Sequence, residues 1–302
     1  MTVSRRSLLA VIAVGAVGAL AACETSAPRA APADTPGPIR TRPRPSAPAP
    51  PTPVAAGAHP APAHPQPDPA AVAAHHAGAR PTAWGTALHG VRPSLHVPFE
   101  ADGRARVAWT FDACGGSGGD GVDHALLDGL RAAAIPATLF LNARWIDRHP
   151  GLTAELAADP LFALANHGTR HLPLSVDGAE AYGIRGTGSV EEAVGEVWGN
   201  HELLTEVTGA SPRYFRSGTA HYDDVAVQLV HDLGELPIGF TVNGDGGATY
   251  DAATVHAELL RANPGDIVIA HMNQPQSGTA QGAVSAAAVL RDRGVALVHL
   301  DL

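Results

Sequence analysis

Val107-Ala108-Trp109-Thr110-Phe111-Asp112-Ala113-Cys114-Gly115-Gly116 runs an apolar, β-prone segment up to one acidic side chain and then turns into glycine. In an α/β sheet this pattern places Asp112 at the carboxyl end of a strand, where ligands and catalytic groups gather. Two readings of that carboxylate compete. It is an N-cap or turn residue for the next helix, or it is a general base or metal ligand. The other strand ends decide between them.

Working outward, Leu126, Leu127 and Leu130 recur at helical spacing and predict a helix over 123–134. Ile135-Pro136 stops it, and 137–141 reads as a second strand. A helix over 145–158 and a third strand over 161–165 follow. Ser189 with Glu191 and Glu192 makes a good helix start, and 189–208 is read as helical up to the Gly209–Pro212 break. Further strands are predicted at 214–216, 238–242, 266–270 and 295–300, with helices at 222–233, 254–261 and 284–293. The β-α alternation argues for a parallel sheet with helices outside, closed into a barrel of about seven strands. Asp112, His167, His171, Arg216, Asp245 and His271 all fall at or just after strand ends, on one predicted rim. One buried histidine is ordinary packing. Acid, imidazoles and guanidinium from separate strands on one rim are not.

The ends of the chain carry other information. Its 302 residues have a net charge of -9 and no lysine, so no basic stripe points to nucleic acid as a partner. Two cysteines cannot form a disulfide scaffold. Arg5-Arg6 precede an apolar run from Leu8 to Ala22, which reads as a signal peptide over 1–22 of twin-arginine type. The run ends Leu20-Ala21-Ala22-Cys23, similar to a bacterial lipoprotein cleavage box, so Cys23 is expected to carry lipid. That implies export to the extracytoplasmic face of the cell membrane, with a membrane partner through the anchor. Residues 23–81 are rich in Pro and Ala and poor in large apolar residues, so a disordered spacer is expected there. His59, His64, His75 and His76 are read as solvated parts of it. The catalytic unit is expected over 82–302.

The rim motifs, taken in order, resemble those of the polysaccharide deacetylases, carbohydrate esterase family four. Thr110-Phe111-Asp112 is similar to the family's Thr-Phe-Asp-Asp-Gly motif, His167-Gly168-Thr169-Arg170-His171 to its His-x-x-x-His, and Phe215–Ala220 to its Arg-x-Pro-Tyr-Gly. Asp266–His271 is similar to its last strand ending in His. The resemblance spans about Arg106 to Leu302 and implies a distorted (β/α) barrel. It implies metal-dependent hydrolysis of N-acetyl groups on cell-wall or surface polysaccharide. His167, His171 and Asp112 would then hold a divalent metal, zinc or else cobalt or nickel. Asp112 would also be the base, Arg216 would keep it ionised, His271 would protonate the leaving amine, and Asp245 would orient His271. A backbone N–H near Thr219 would help to hold the oxyanion.

The chain departs from the family pattern at informative places. Ala113 stands where the family has its second Asp, normally a metal ligand, and Gly218-Thr219 replaces Pro-Tyr. Either Asp112 is both ligand and base, or Cys114, Asp120 or Asp123 supplies the missing donor, or the metal is lost. The last case leaves a catalytically silent glycan-binding envelope protein. A third function, hydrolysis of an O-acetyl ester or a cyclic amide, fits the same pocket.

Overall fold

In the computed structural model, residues 66–301 are described; the signal peptide, Cys23 and most of the expected spacer lie outside the described residues. Eight strands make the main sheet: β1 (Arg106–Ala113), β2 (Ala137–Leu141), β3 (Phe162–Asn166), β4 (Tyr214–Phe215), β5 (Leu236–Pro237), β6 (Val242–Asn243), β7 (Ile267–His271) and β8 (Ala296–Val298). Their order is β6-β7-β1-β2-β3-β4-β5, all pairs parallel, and β8 joins only the start of β1, with Ala296 opposite Arg106. The sheet curls into an incomplete barrel of seven parallel strands with β2 in the middle of the order.

The period-two alternation of β1 sorts its side chains between two layers. Val107, Trp109, Phe111 and Ala113 pack outward into the apolar cluster under the helices, while Ala108 joins Phe140, Ala165, Ile238 and Ile267 in a second cluster. Thr110 and Asp112, in step with Ala108, therefore face the barrel interior.

The helices form where capping and apolar spacing agree. In α2 (His124–Ala132), Asp123 accepts from the Leu126 N–H, and Leu126, Leu127 and Leu130 are buried. In α5 (Val190–Thr208), Ser189 accepts from the Glu192 N–H, and Gly209 closes the helix at φ 73°. The helix expected over 145–158 is two, α3 (Ala143–Arg148) and α4 (Pro150–Ala158), because Pro150 cannot donate to the preceding turn. The next pair is α6 (Asp224–Asp232) and α7 (Ala252–Leu259), and α8 (Thr279–Asp292) starts earlier than expected.

Two sequence expectations need correction. Of the strand expected at 238–242 only Val242 lies in a strand, at the start of β6, and residues 238–241 are the gap between β5 and β6. Its first neighbours touch one edge of the sheet and its last touch the other. The middle does not join a ladder because its polar groups are taken: the Gly239 N–H donates to the Arg92 carbonyl, and the Gly239 carbonyl accepts from Arg216.

The second correction concerns the start of the folded region. Pro69–His76, placed in the disordered spacer, is a helix, α1, in contact with α5 and α6. Asp68 caps it by accepting from the Ala70 and Ala71 N–H groups, Pro69 sits at its first turn, Val72 is buried, and His76 Nε2 lies 2.8 Å from Asp232 Oδ2. The folded unit therefore begins before residue 82. Burying one valine contributes about 1.5–3 kcal/mol. A chain starting at residue 82 is thus expected to melt roughly 3–12 °C below one starting at residue 66. Equal melting temperatures in a thermal scan of the two would show that α1 adds nothing.

Candidate active site

The strand ends deliver the expected side chains to one place. Asp112 and His271 are Cα partners on adjacent strands, and Asn166 and Phe215 are partners too, so His167 and Arg216 emerge side by side just beyond them. Asp112 is almost fully buried and Arg216 entirely so. The Arg216 Nη1 donates to Asp112 Oδ1 at 2.7 Å and to Thr110 Oγ1 at 2.8 Å, and its Nη2 donates to the Gly239 carbonyl at 3.1 Å. The guanidinium also lies over the Phe140 ring, 4.2 Å from its centroid. Arg216 is therefore a core cation, not a surface ion pair. Burial pushes the Asp112 carboxyl up, but Arg216, then His167 and His271, outweigh it and hold it below its ordinary value.

His167 is also buried. Its Nδ1–H donates to the Arg216 carbonyl at 2.8 Å, which leaves the Nε2 lone pair facing inward. That Nε2 is 3.6 Å from Asp112 Oδ2 and 3.9 Å from Cys114 Sγ. His171 returns to the same spot through a left-handed backbone turn at φ 61°, its ring edge-on to His167 with centroids 4.8 Å apart.

The loop between the two histidines is held by Glu196, which the sequence reading passed over. Buried in α5, its carboxylate accepts from the Arg170 and Leu172 N–H groups at 3.0 and 3.1 Å. Gly168 is required here: it has φ 77°, and a Cβ would lie 2.5 Å from Glu196 Oε1. Asn142 adds a second clamp by donating to the His167 and Gly168 carbonyls.

On the other side, the His271 Nδ1–H donates to Asp245 Oδ1 at 3.0 Å, and Asp245 is itself fixed by the His271 N–H and by Thr279 Oγ1. Burial disfavours the charged imidazolium, but Asp245 and Cys114 more than compensate and raise His271 well above its ordinary value. Thr219 sits at φ 65° on the cleft wall, and its Oγ1 is buried with no hydrogen-bond partner among the described residues.

The three candidates for the missing donor separate cleanly. Asp120 accepts from the Gly116 N–H, and Asp123 caps α2. Cys114 is a free thiol whose Sγ groups with ring nitrogens of His167 and His171, all within 4.8 Å of one another. Burial pushes the thiol up, yet His171 and His167, with help from His271, bring it well below its ordinary value. Two imidazoles beside a thiol suit a borderline cation such as zinc, and the inward Nε2 of His167 is free to bind one. These donors fit the metal that the family pattern implies.

A cleft of about 730 Å³ opens over the site, lined by Asp112, His171, Thr219 and His271 with Tyr182 and Tyr250. Tyr182, at the tip of a small antiparallel hairpin (Glu180–Ala181 with Ile184–Arg185), is 83% exposed. This hairpin was not anticipated from the sequence.

Behind the histidine loop lies a buried polar network. Glu235 Oε1 accepts from His201 Nδ1 at 2.8 Å and from Asn166 Nδ2 at 2.9 Å, and Asn166 Oδ1 accepts from the Gly168 N–H. Burial pushes the Glu235 carboxyl up to about 7 from an ordinary 4.5. The folded chain thus keeps a proton that the unfolded chain releases near pH 4.5. This group's contribution to stability is full below that pH and is lost as pH rises through about 7. Removing the buried charge with Glu235→Gln should make the variant gain on wild type between pH 5 and pH 8, by at most about 3 kcal/mol. Denaturant unfolding at both pH values measures it, and a gap that does not move with pH contradicts the assignment.

Comparisons with known proteins bear on the family and the fold. Residues 100–236 match the family model described as polysaccharide deacetylase. The match ends before Asp245 and His271, which the fold brings to the site. Among solved structures, a family four carbohydrate esterase from Bacillus anthracis has a TM-score of 0.55 at 18% identity, covering 74% of this chain and 95% of that one. The peptidoglycan deacetylase PdaC from Bacillus subtilis has a TM-score of 0.52 at 19% identity, covering 64% and 91%. A Bacillus anthracis protein described as a family four pseudoenzyme has a TM-score of 0.54 at 20% identity, covering 65% of this chain; the match spans 64% of its own length. No curated protein sequence matches. At these identities the structures speak for the fold, and the family model speaks for the domain. The chain carries a polysaccharide deacetylase domain at residues 100–236.

Proposed function

We propose that this protein hydrolyses N-acetyl groups on an amino-sugar polysaccharide of the cell wall or surface and releases acetate. The observation that carries the reading is Asp112. Its carboxylate is held ionised by Arg216, 3.6 Å from the inward nitrogen of His167, and it opens onto the same cleft as His271, which Asp245 holds from behind. A divalent metal held by His167 and His171, with zinc, cobalt or nickel all suited, would supply Lewis-acid polarisation of the acetyl carbonyl.

The chain's own groups do the rest. Asp112 takes the proton of the attacking water. Arg216 keeps that carboxylate charged and in place. His271, protonated at the outset, gives its Nε2 proton to the leaving nitrogen, while Asp245 fixes the ring and favours its charged form. Thr219 offers a polar group at the wall where the oxyanion develops. Export and lipid attachment at Cys23, as expected from the N-terminal sequence, would place the site beside envelope glycan.

Tyr182 and Tyr250 support a sugar substrate, since aromatic rings combine an apolar face for a pyranose with a polar rim. Tyr182→Ala is expected to raise KM on chitooligosaccharides several-fold and leave kcat nearly unchanged, as for loss of uniform binding. A fall in kcat at constant KM would place Tyr182 in the chemistry instead.

Acetate release from N-acetylated chitooligosaccharides and from peptidoglycan, with and without a chelator, tests the reading. Release that ignores the chelator, on O-acetyl esters only, favours an esterase in the same pocket. The second reading, a silent glycan-binding protein, rests on Ala113 and on the similarity to a pseudoenzyme. Under it, glycan binds and no acetate appears from any substrate.

A further inference from the structure

The chain lacks a carboxylate at 113, and the side chain present there is turned away from the site. Ala113 points outward with Val107, Trp109 and Phe111 into the apolar layer under the helices, and it is completely buried there. The next residue that alternation returns to the Asp112 side is Cys114. Its Sγ meets the two histidine donors where a cation would sit, with 3.9 Å between Sγ and His167 Nε2 and all three donor atoms within 4.8 Å. Tetrahedral zinc with ordinary Zn–S and Zn–N bond lengths wants its donor atoms about 3.4–3.6 Å apart. A shift of a few tenths of an ångström closes the first pair onto that spacing. His167 carries the outer contact of a ligating imidazole, its Nδ1–H donated to the Arg216 carbonyl. Asp112 stands outside this three-atom cluster and already spends Oδ1 on Arg216.

We propose that Cys114, rather than Asp112, is the third protein ligand of the metal, making a Cys-His-His centre and leaving Asp112 free as the base. The proposal rests on the metal-dependent reading above and refines it. The missing carboxylate is then no loss of function: the ligand has moved one residue along the chain, on the face the strand allows. Binding exchanges the thiol proton for the metal, so one proton leaves Cys114 as its sulfur–metal bond forms. A thiolate with two imidazoles selects zinc or cobalt over magnesium, calcium or manganese. The alternative is a plain thiol–imidazole hydrogen bond between Cys114 and His167, with no metal at the sulfur.

The test uses the purified chain with its only other cysteine, Cys23, replaced by Ser in every sample, stripped of metal and titrated with Co2+. A thiolate-to-cobalt charge-transfer band in the near ultraviolet is expected, saturating at one equivalent. Cys114→Ser should lose the band and bind cobalt more weakly, by at least the roughly 10–100-fold that loss of an outer-sphere partner costs. Cys114→Asp should keep the metal and lose the band. Circular dichroism of both variants separates ligand loss from misfolding, and if Cys114→Ser does not fold, Cys114→Asp decides. Cobalt bound without the band, and with equal affinity in Cys114→Ser, overturns the proposal while metal dependence stands. Failure of the parent chain to bind cobalt or zinc at all, with histidines intact, sinks both.

Discussion

Asp112→Asn is expected to lower kcat for acetate release by about 10²–10⁴-fold, the usual worth of a positioned general base. The substitution keeps an amide oxygen that can still accept from Arg216, so gross folding should survive. With Cys114, His167 and His171 holding the metal, metal content should be unchanged, which separates loss of the base from loss of the cation. Measured acetate release within threefold of wild type would falsify the assigned mechanism. A variant that loses metal in step with activity would instead return Asp112 to the ligand set.

The largest stability effect should come from the same ion pair. Arg216 lies at the centre of the barrel with no exposed surface, held by Asp112, Thr110, the Gly239 carbonyl and the Phe140 ring. Removing the cation with Arg216→Met leaves a buried carboxylate unpaired, and breaking such a pair costs about 3–5 kcal/mol. The melting temperature should fall by roughly 6–20 °C, and the Asp112 carboxyl should lose its strongest stabilising neighbour. Adding Asp112→Asn to Arg216→Met should recover part of that stability, because the stranded charge is gone. Additive losses in the double mutant would mean that the two side chains do not act as a pair.

Both sites of expected effect were legible in the sequence, for a physical reason. Strand ends and helix caps are written locally, in apolar runs that stop at a polar residue and in Ser or Asp placed before a helix. Asp112, His167, His171, Arg216, Asp245 and His271 all lie at such boundaries, and the fold gathers them. What escaped was set by partners distant in the chain. Residues 238–242 look like one strand, but only Val242 is in one; at Gly239 the polar groups go to Arg216 and Arg92. Glu196 holds the histidine loop and His201 the Glu235 network from α5, and the only local sign was polar residues on a helix face shared with Ala193, Val197 and Leu204. The helix α1 hid in a Pro- and Ala-rich stretch, where Asp68-Pro69 was a cap and first turn in plain view. Cys114 was already among the candidate donors, and counting two residues from Asp112 puts it on the same face.

The pairing of Asp112 with His271 in register has a consequence for how such a protein can change. Neighbouring strands lie about 4.8 Å apart whatever their side chains, because backbone hydrogen bonds set the spacing. The separation of proton acceptor from proton donor is thus inherited from the sheet, and no loop can stretch it. Loops such as the Tyr182 hairpin can be lengthened, shortened or exchanged without disturbing that spacing. Diversification of what the cleft accepts is decoupled from preservation of the chemistry beneath it.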